Sequence, residues 1–263
     1  MKRRLLPILM TLVLVCALPI WAAFVTSPDV TNPLLTTADA TEPLKLEEVS
    51  TADDLRAKIT AGNSVKLTNN IDIDAVLHVT STLTLDLNGC TLRMTGTGSV
   101  LKVSGRATLT ITDSRPQNPH TGSYENLPAG GVITGGEGTD LTGIYNVGGA
   151  VFLENDTTLK LEGGTITGNS SRGSVFINGA TFVMTGGTIT GETVGVRNNV
   201  GTFTMTGGRI TGCYEQGVYM STGWMKMSEA AYIGGNNTRN TKEDIFIEET
   251  LQTSARLSVT GGT

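Results

Sequence analysis

Histidine is nearly missing from this 263-residue chain, which has two, and cysteine occurs only three times. His78 and His120 are far apart and neither has a paired Cys or His partner at zinc spacing. No G-x-S-x-G elbow or phosphate-binding loop is present, so the familiar hydrolase and nucleotide motifs are excluded. Charged residues are only 16% of the chain and aromatics 5%. After the first 23 residues no apolar run approaches membrane-spanning length. What remains is abundant: 33 glycines, and threonine as the commonest strand-type polar residue. That is the composition of an all-β, turn-rich extracellular protein.

The first 23 residues form an export signal. "MKRR" is its basic start, "LLPILMTLVLVCALPIW" its apolar stretch, and Ala22 and Ala23 are its small cleavage-site residues. The expected location is therefore secreted, extracellular or cell-surface, with no membrane span after cleavage. Removing the signal takes away three of 19 basic residues and no acidic ones. The remainder has 16 bases against 24 acids, a formal charge of −8. Nucleic acid and anionic lipid are excluded as partners, because both require a basic footprint. Residues 24–49 are Thr/Pro-rich without periodicity and read as a flexible stem. "STADDLRAKITAGN" then predicts a short capping helix over residues 50–62. Ser50 or Thr51 caps its first amides, and Leu55 and Ile59 share its apolar face.

From residue 63 to 263 one eight-letter phrase recurs, as "LEGGTITG", "MTGGTITG" and "MTGGRITG". Anchored on the first residue of each glycine-pair slot, the units fall at Gly89, Gly130, Gly163, Gly186, Gly207, Glu229 and Gly261, with Glu229 and Ala230 replacing the glycines in one of them. The central intervals are 23, 21 and 22 residues, and the longer ones fit the same unit with inserts. Positions four before, two before and three after the anchors are apolar, with Leu109 and Ile111 filling the first two columns in the coil whose turn is stretched to Gly130. They run Leu85 to Leu257, Leu87 to Val259 and Leu92 to Tyr232, and polar residues alternate between them. This is the period of strands with one buried face. A third strand per unit reads "VFL", "VFI", "VRN", "VYM" and "IFI". Three short strands in about 22 residues predict a parallel β-helix, a solenoid whose coils stack at ~4.8 Å. In that register Cys90 and Cys213 lie about four coils or ~19 Å apart, beyond disulfide reach, so two unpaired thiols are expected.

"LTLDLNGCTL", "ATLTITDS" and the recurring "GGTITGN" resemble the right-handed parallel β-helix repeats of bacterial secreted and surface proteins, broadly the pectin-lyase-like solenoids. The resemblance covers about residues 65–263 and rests on turn and core residues. It implies the fold, and an adhesin-like or structural role. Because polysaccharide lyases and hydrolases share this fold, it also brings in a carbohydrate-active enzyme as the alternative. Such an enzyme needs clustered carboxylates on one outward face. The outward column three before the anchor offers only Asp86 and Lys160, about two coils apart with Thr110 between them. "GGEGTDLTG" matches most of one calcium-binding repeat, but a single copy reads as a turn. The acidic run Glu243, Asp244, Glu248 and Glu249 reads as a solvated loop. No catalytic residue, metal or cofactor is expected.

The informative outward feature is the middle of the third strand, which reads Lys102, Phe152, Phe176, Arg197, Tyr219 and Phe246 up the coils. Burying Lys102 and Arg197 unpaired would cost more than burying Asn198, so the flanking residues are assigned to the core and this ladder to the outside. A contiguous aromatic stripe marks a contact surface for extracellular glycans or for host or neighbour-cell proteins. Alternatively the chain covers it, with the insert Ser114–Pro128 or the stem. Trp224 is a second outward aromatic, in a column otherwise mostly threonine. The sequence stops at "LSVTGGT" in mid-unit, which carries the expectation of a longer protein or of end-to-end self-association through uncapped strand edges.

Overall fold

The computed structural model describes residues 45–140, 146–228, 230–236, 244–248 and 256–260. The segment read as an export signal, the stem up to residue 44, Glu229, Glu243, Glu249 and the final three residues fall outside them. The architecture is a parallel β-solenoid of about seven turns, each turn contributing strands to three faces. The stripe face carries Leu77–Val79, Leu101–Val103 and Val151–Leu153, and continues to Ile245–Ile247. The threonine face runs from Val65–Leu67 through Thr158–Leu161 to Arg256–Val259. The isoleucine face is a seven-stranded sheet from Ile71–Ile73 to Tyr232–Ile233. Two long strands, Arg172–Met184 and Val194–Met205, round the corner from the stripe face to the threonine face without a break.

The core follows from alternation. Leu109, Leu159, Phe182, Phe203 and Met225 stack in one ladder, and Ile133, Ile166, Ile189 and Ile210 in another; all are buried. Phe182 and Phe203 stack face to face inside, 4.8 Å apart. The helix Ala52–Thr60 covers the first end. Thr51 accepts a hydrogen bond from the Asp54 amide, Asp53 and Asp54 favour the positive end of its dipole, and Leu55 and Ile59 are buried against the first strands. Cys90 and Cys213 are free and buried, as their register requires.

Four sequence expectations are corrected. First, Glu47–Val49 pairs in parallel with Val65–Leu67, so the last three residues assigned to the stem begin the solenoid. Second, Leu83 and Leu85, rather than Leu85 and Leu87, stand beside Leu109 and Ile111. The turn there is wider: Asn88 and Gly89 both adopt positive φ, and Leu87 packs into the core at the corner. Asp86 therefore leaves the outward column and is buried, accepting hydrogen bonds from the amides of Asn88 and Ser114. Third, Ile210 pairs with Ile233, and Tyr232 is left outside beneath the Arg209 guanidinium at 4.1 Å. Gly208 turns the preceding corner at φ 80°, a conformation an alanine would adopt only with strain; Ala230 does not adopt it, and its corner contains one more residue. Fourth, Leu257 and Val259, assigned to the core columns, are exposed.

Candidate contact surface

The stripe forms in the predicted order. Register pairs link His78, Lys102, Phe152, Phe176, Arg197, Tyr219 and Phe246 on successive strands. Lys102 to Tyr219 project away from the core, because Val175, Val196 and Val218 on one side and Ile177, Asn198 and Met220 on the other are buried. At the Phe246 rung the assignment of both flanks to the core is corrected, since Ile245 is half-buried and Ile247 exposed. Asn198 is inside, as the burial argument required. Its amide donates to the carbonyls of Gly201 and Trp224, while its Oδ1 has no partner.

The stripe divides in two. Phe152 and Phe176 are each only 3% exposed, and with Val147 they form a small apolar cluster separate from the core. The cover is a hairpin whose arms, Thr139–Asp140 and Asn146–Val147, make the one antiparallel pair among the described strands. Both arms belong to the interval between Gly130 and Gly163, which is 33 residues long and so exceeds a 22-residue coil by eleven. Glycine is required where Gly136 crosses Gly149: a Cβ on Gly136 would stand 1.9 Å from the Gly149 carbonyl oxygen. The insert Ser114–Pro128 goes elsewhere. Tyr124 donates to Asp72 at 2.7 Å and lies beneath the Arg93 guanidinium, on the isoleucine face. Part of the stripe is therefore covered by the chain, as one reading expected, but not by the insert Ser114–Pro128; the stem up to residue 44 lies outside the described residues.

Above the hairpin the stripe is open. Arg197 lies 4.1 Å from the Tyr219 ring centre, Tyr219 lies 5.0 Å from Phe246, and all three are half-buried. Burial and the neighbouring Glu248 carboxylate raise the Tyr219 phenol above its ordinary range against the opposing pull of Arg197. Lower down, Lys102 pairs with Glu154 at 2.8 Å. Trp224 is on the threonine face, 52% exposed.

Beside the open half, at the corner leading from the isoleucine face, runs a cleft of about 750 Å³. Its walls include Asn146 of the hairpin, Asn169, Arg172, Glu192, Tyr214 and Glu215. One position per coil, buried at Asn169, Glu192 and Cys213 and half-buried at Asn236, forms a ladder behind it. Asn169 Oδ1 accepts from the Gly136 amide and its Nδ2 donates to the Ile133 carbonyl. Asn236 repeats both bonds with the Cys213 amide and the Ile210 carbonyl. Between them stands Glu192, 1% exposed, accepting from Asn169 N at 3.1 Å and Asn169 Nδ2 at 3.0 Å. Desolvation pushes its carboxyl up to about 7, against those hydrogen bonds. Burial likewise pushes the Cys213 thiol up to about 12, so it stays protonated and unreactive. This site was not among the expectations drawn from the sequence, where Asn169 figured only as the last letter of the repeat GGTITGN. Its only signal was the letter after I-T-G: Asn169, Glu192 and Cys213.

The two residues proposed for an enzyme do not meet. Asp86 is the buried last residue of the strand Leu83–Asp86 and Lys160 an exposed residue of the strand Thr158–Leu161. Among the described residues no three His, Cys, Asp or Glu side chains gather as a metal site, and no helix is long and apolar enough to cross a membrane. Comparison with protein-family models, with curated proteins and with solved structures returns no match.

Proposed function

We propose that this chain is a non-catalytic, secreted or surface-displayed module of the adhesin-like, pectin-lyase-like kind, which holds a rigid contact surface toward extracellular glycan or protein. The observation that carries this reading is the open half of the stripe. Arg197, Tyr219 and Phe246 are stacked at coil spacing on an inflexible backbone, beside a polar cleft edged by the exposed Tyr214. Aromatic rings already fixed by their neighbours lose little entropy on binding, and a flat ring with a cation over it suits a sugar face or a loop. A Tyr214→Ser/Tyr219→Ser variant should lose glycan-array or cell-adhesion signal while keeping its melting temperature within a few degrees. Undiminished binding would remove this surface from consideration.

One observation favours the carbohydrate-active enzyme instead. A carboxyl that titrates near neutrality, in the wall of a cleft that also holds Glu215, has the proton affinity of a general acid. Against it, Glu192 is almost fully enclosed and both its oxygens are engaged by Asn169. Release of reducing sugar from a polysaccharide panel, abolished by Glu192→Gln, would establish the enzyme.

A further inference from the structure

The sequence contains two Asn–Gly pairs, Asn88–Gly89 and Asn178–Gly179. This dipeptide loses ammonia more readily than other asparagine pairs, because glycine leaves its own amide nitrogen unshielded and able to reach the asparagine Cγ. Local structure decides whether the two atoms meet, and it treats the two pairs differently.

Asn88 is locked. It is 7% exposed, its Nδ2 donates to the Leu67 carbonyl at 2.8 Å, and its Oδ1 accepts from Ser114 Oγ at 3.0 Å. The Gly89 amide, which would be the nucleophile, donates to Asp113 Oδ1 at 2.6 Å. Neither reacting group can move toward the other without breaking hydrogen bonds that are costly to lose.

Asn178 is placed in the opposite way. It is half-buried on the long strand Arg172–Met184, where that strand rounds the corner from the stripe face to the threonine face. The register steps from Asn178 beside Val200 to Ala180 beside Gly201, so Gly179 is an extra residue, a bulge at φ 70°. The neighbouring strand has its own extra residue one step earlier, Asn199, between Asn198 and Val200. Asn199 Nδ2 donates to Asn178 Oδ1 at 3.1 Å, and among the described residues Asn178 Nδ2 has no partner. The side-chain carbonyl is thus held by a donor while its leaving group is unrestrained. Glycine is also obligatory here, since a Cβ on residue 179 would stand 2.1 Å from Asn155 Oδ1. The fold therefore excludes any bulkier successor that would shield Asn178.

We infer that Asn178 is a self-modification site that deamidates in the folded protein, with water as the reactant and Asn199 as the donor to the reacting carbonyl. The Gly179 nitrogen gives its proton to base and bonds to Asn178 Cγ, while Asn199 Nδ2 stabilises the charge developing on Oδ1. The Cγ–Nδ2 bond then breaks and ammonia leaves with a proton from solvent. Water opens the resulting cyclic imide at either carbonyl, giving aspartate or isoaspartate. The net exchange is amide and water for carboxylic acid and ammonia, with no oxidant or reductant. The acid ionises at neutral pH, so one negative charge is added to the small cleft that Asn178 lines with Lys102, Thr139 and Glu154. That cleft borders the covered half of the stripe, so the modification is independent of the proposed contact surface.

The test is peptide mapping by mass spectrometry during prolonged incubation of the intact chain at mildly alkaline pH. In the folded protein the Asn178 peptide should exchange amide for carboxylate at least tenfold faster than the Asn88 peptide. An isoaspartyl methyltransferase should label the Asn178 peptide. In guanidinium chloride the two pairs should convert at similar rates, since the fold alone distinguishes them. Asn199→Ala should slow conversion of the folded chain and leave the rate in guanidinium unchanged, with Asn199→Ser in its place if the alanine protein does not fold. An Asn178 amide that lasts as long as the Asn88 amide in the folded chain would overturn the inference. So would conversion confined to the denatured chain, or a folded-chain rate that the Asn199 variant does not move.

Discussion

Phe152 and Phe176 belong to the same ladder as Tyr219 and Phe246, project from the same face and are set by the same register. The first pair is sealed under Val147, whereas the second pair is half open to solvent. The strands are alike, and the difference comes from the insert whose described arms are Thr139–Asp140 and Asn146–Val147. Stacking coils aligns like residues automatically, but an excursion from one coil decides which rungs become surface. In a repeat protein the departures from the repeat are therefore the place to look for function.

The largest effect is expected from breaking the cover at its neck. Gly136→Val drives a side chain into the Gly149 carbonyl, so the crossing cannot close. Over-packing of about 1–3 kcal/mol is then compounded by re-exposure of two phenylalanines at about 1.5–3 kcal/mol each. Urea unfolding should show a much lower midpoint, with new binding of a hydrophobic dye. An unchanged midpoint would mean the hairpin does not hold the cover in place.

Truncating one covered rung comes next. Phe176→Ala should cost about 3 kcal/mol, as buried aromatics do. Equal losses in Phe176→Ala and Tyr219→Ala would erase the distinction between the two halves.

Glu192 sits where the covered and open halves adjoin, and it makes stability depend on pH. Its carboxyl titrates at about 7 in the folded chain against an ordinary 4.5, so the native state holds a proton that the unfolded chain releases. The resulting contribution, on the order of 3 kcal/mol, is fully present below pH 4.5 and is lost as pH rises through 7. Glu192→Gln should flatten the stability profile across that window. Parallel profiles for parent and variant would show that the carboxyl titrates normally.

The smallest effect belongs to the open rung. Tyr219→Ala should cost about 1 kcal/mol or less, because a half-exposed ring gives up only part of its burial on truncation. Its consequence should appear in binding, as a lost adhesion or glycan signal with an almost unchanged melting curve.

Most of the solenoid was legible because its signals are local and repeated. The alternation Leu159–Lys160–Leu161 and the glycine pair that follows it specify a strand and a corner in about eight residues. The misreadings occur where a corner changes length. Asn88 and Gly89 widen the first turn, so anchoring on the glycine pair displaced Asp86 by two residues. Ala230 stands where glycine does in other coils, so the anchor at Glu229 displaced Ile233 by one. A one-residue error inverts every side chain of a strand, which is why Tyr232 was assigned to the core. Glu192 was missed for a different reason. A glutamate after T-G looks like any exposed turn residue until the coils on either side enclose it.

Alone, the sequence determined the repeat, the inward columns, the capping helix and the two unpaired thiols, since each follows from spacing along the chain and from which residues water rejects. The tertiary structure decided which outward residues reach solvent. That depends on where an insert travels after it leaves the coil, and both excursions are polar, turn-rich segments with no periodicity to give their direction. Hence the chain's own letters supplied an aromatic ladder, and the fold divided it into a sealed half and an open one.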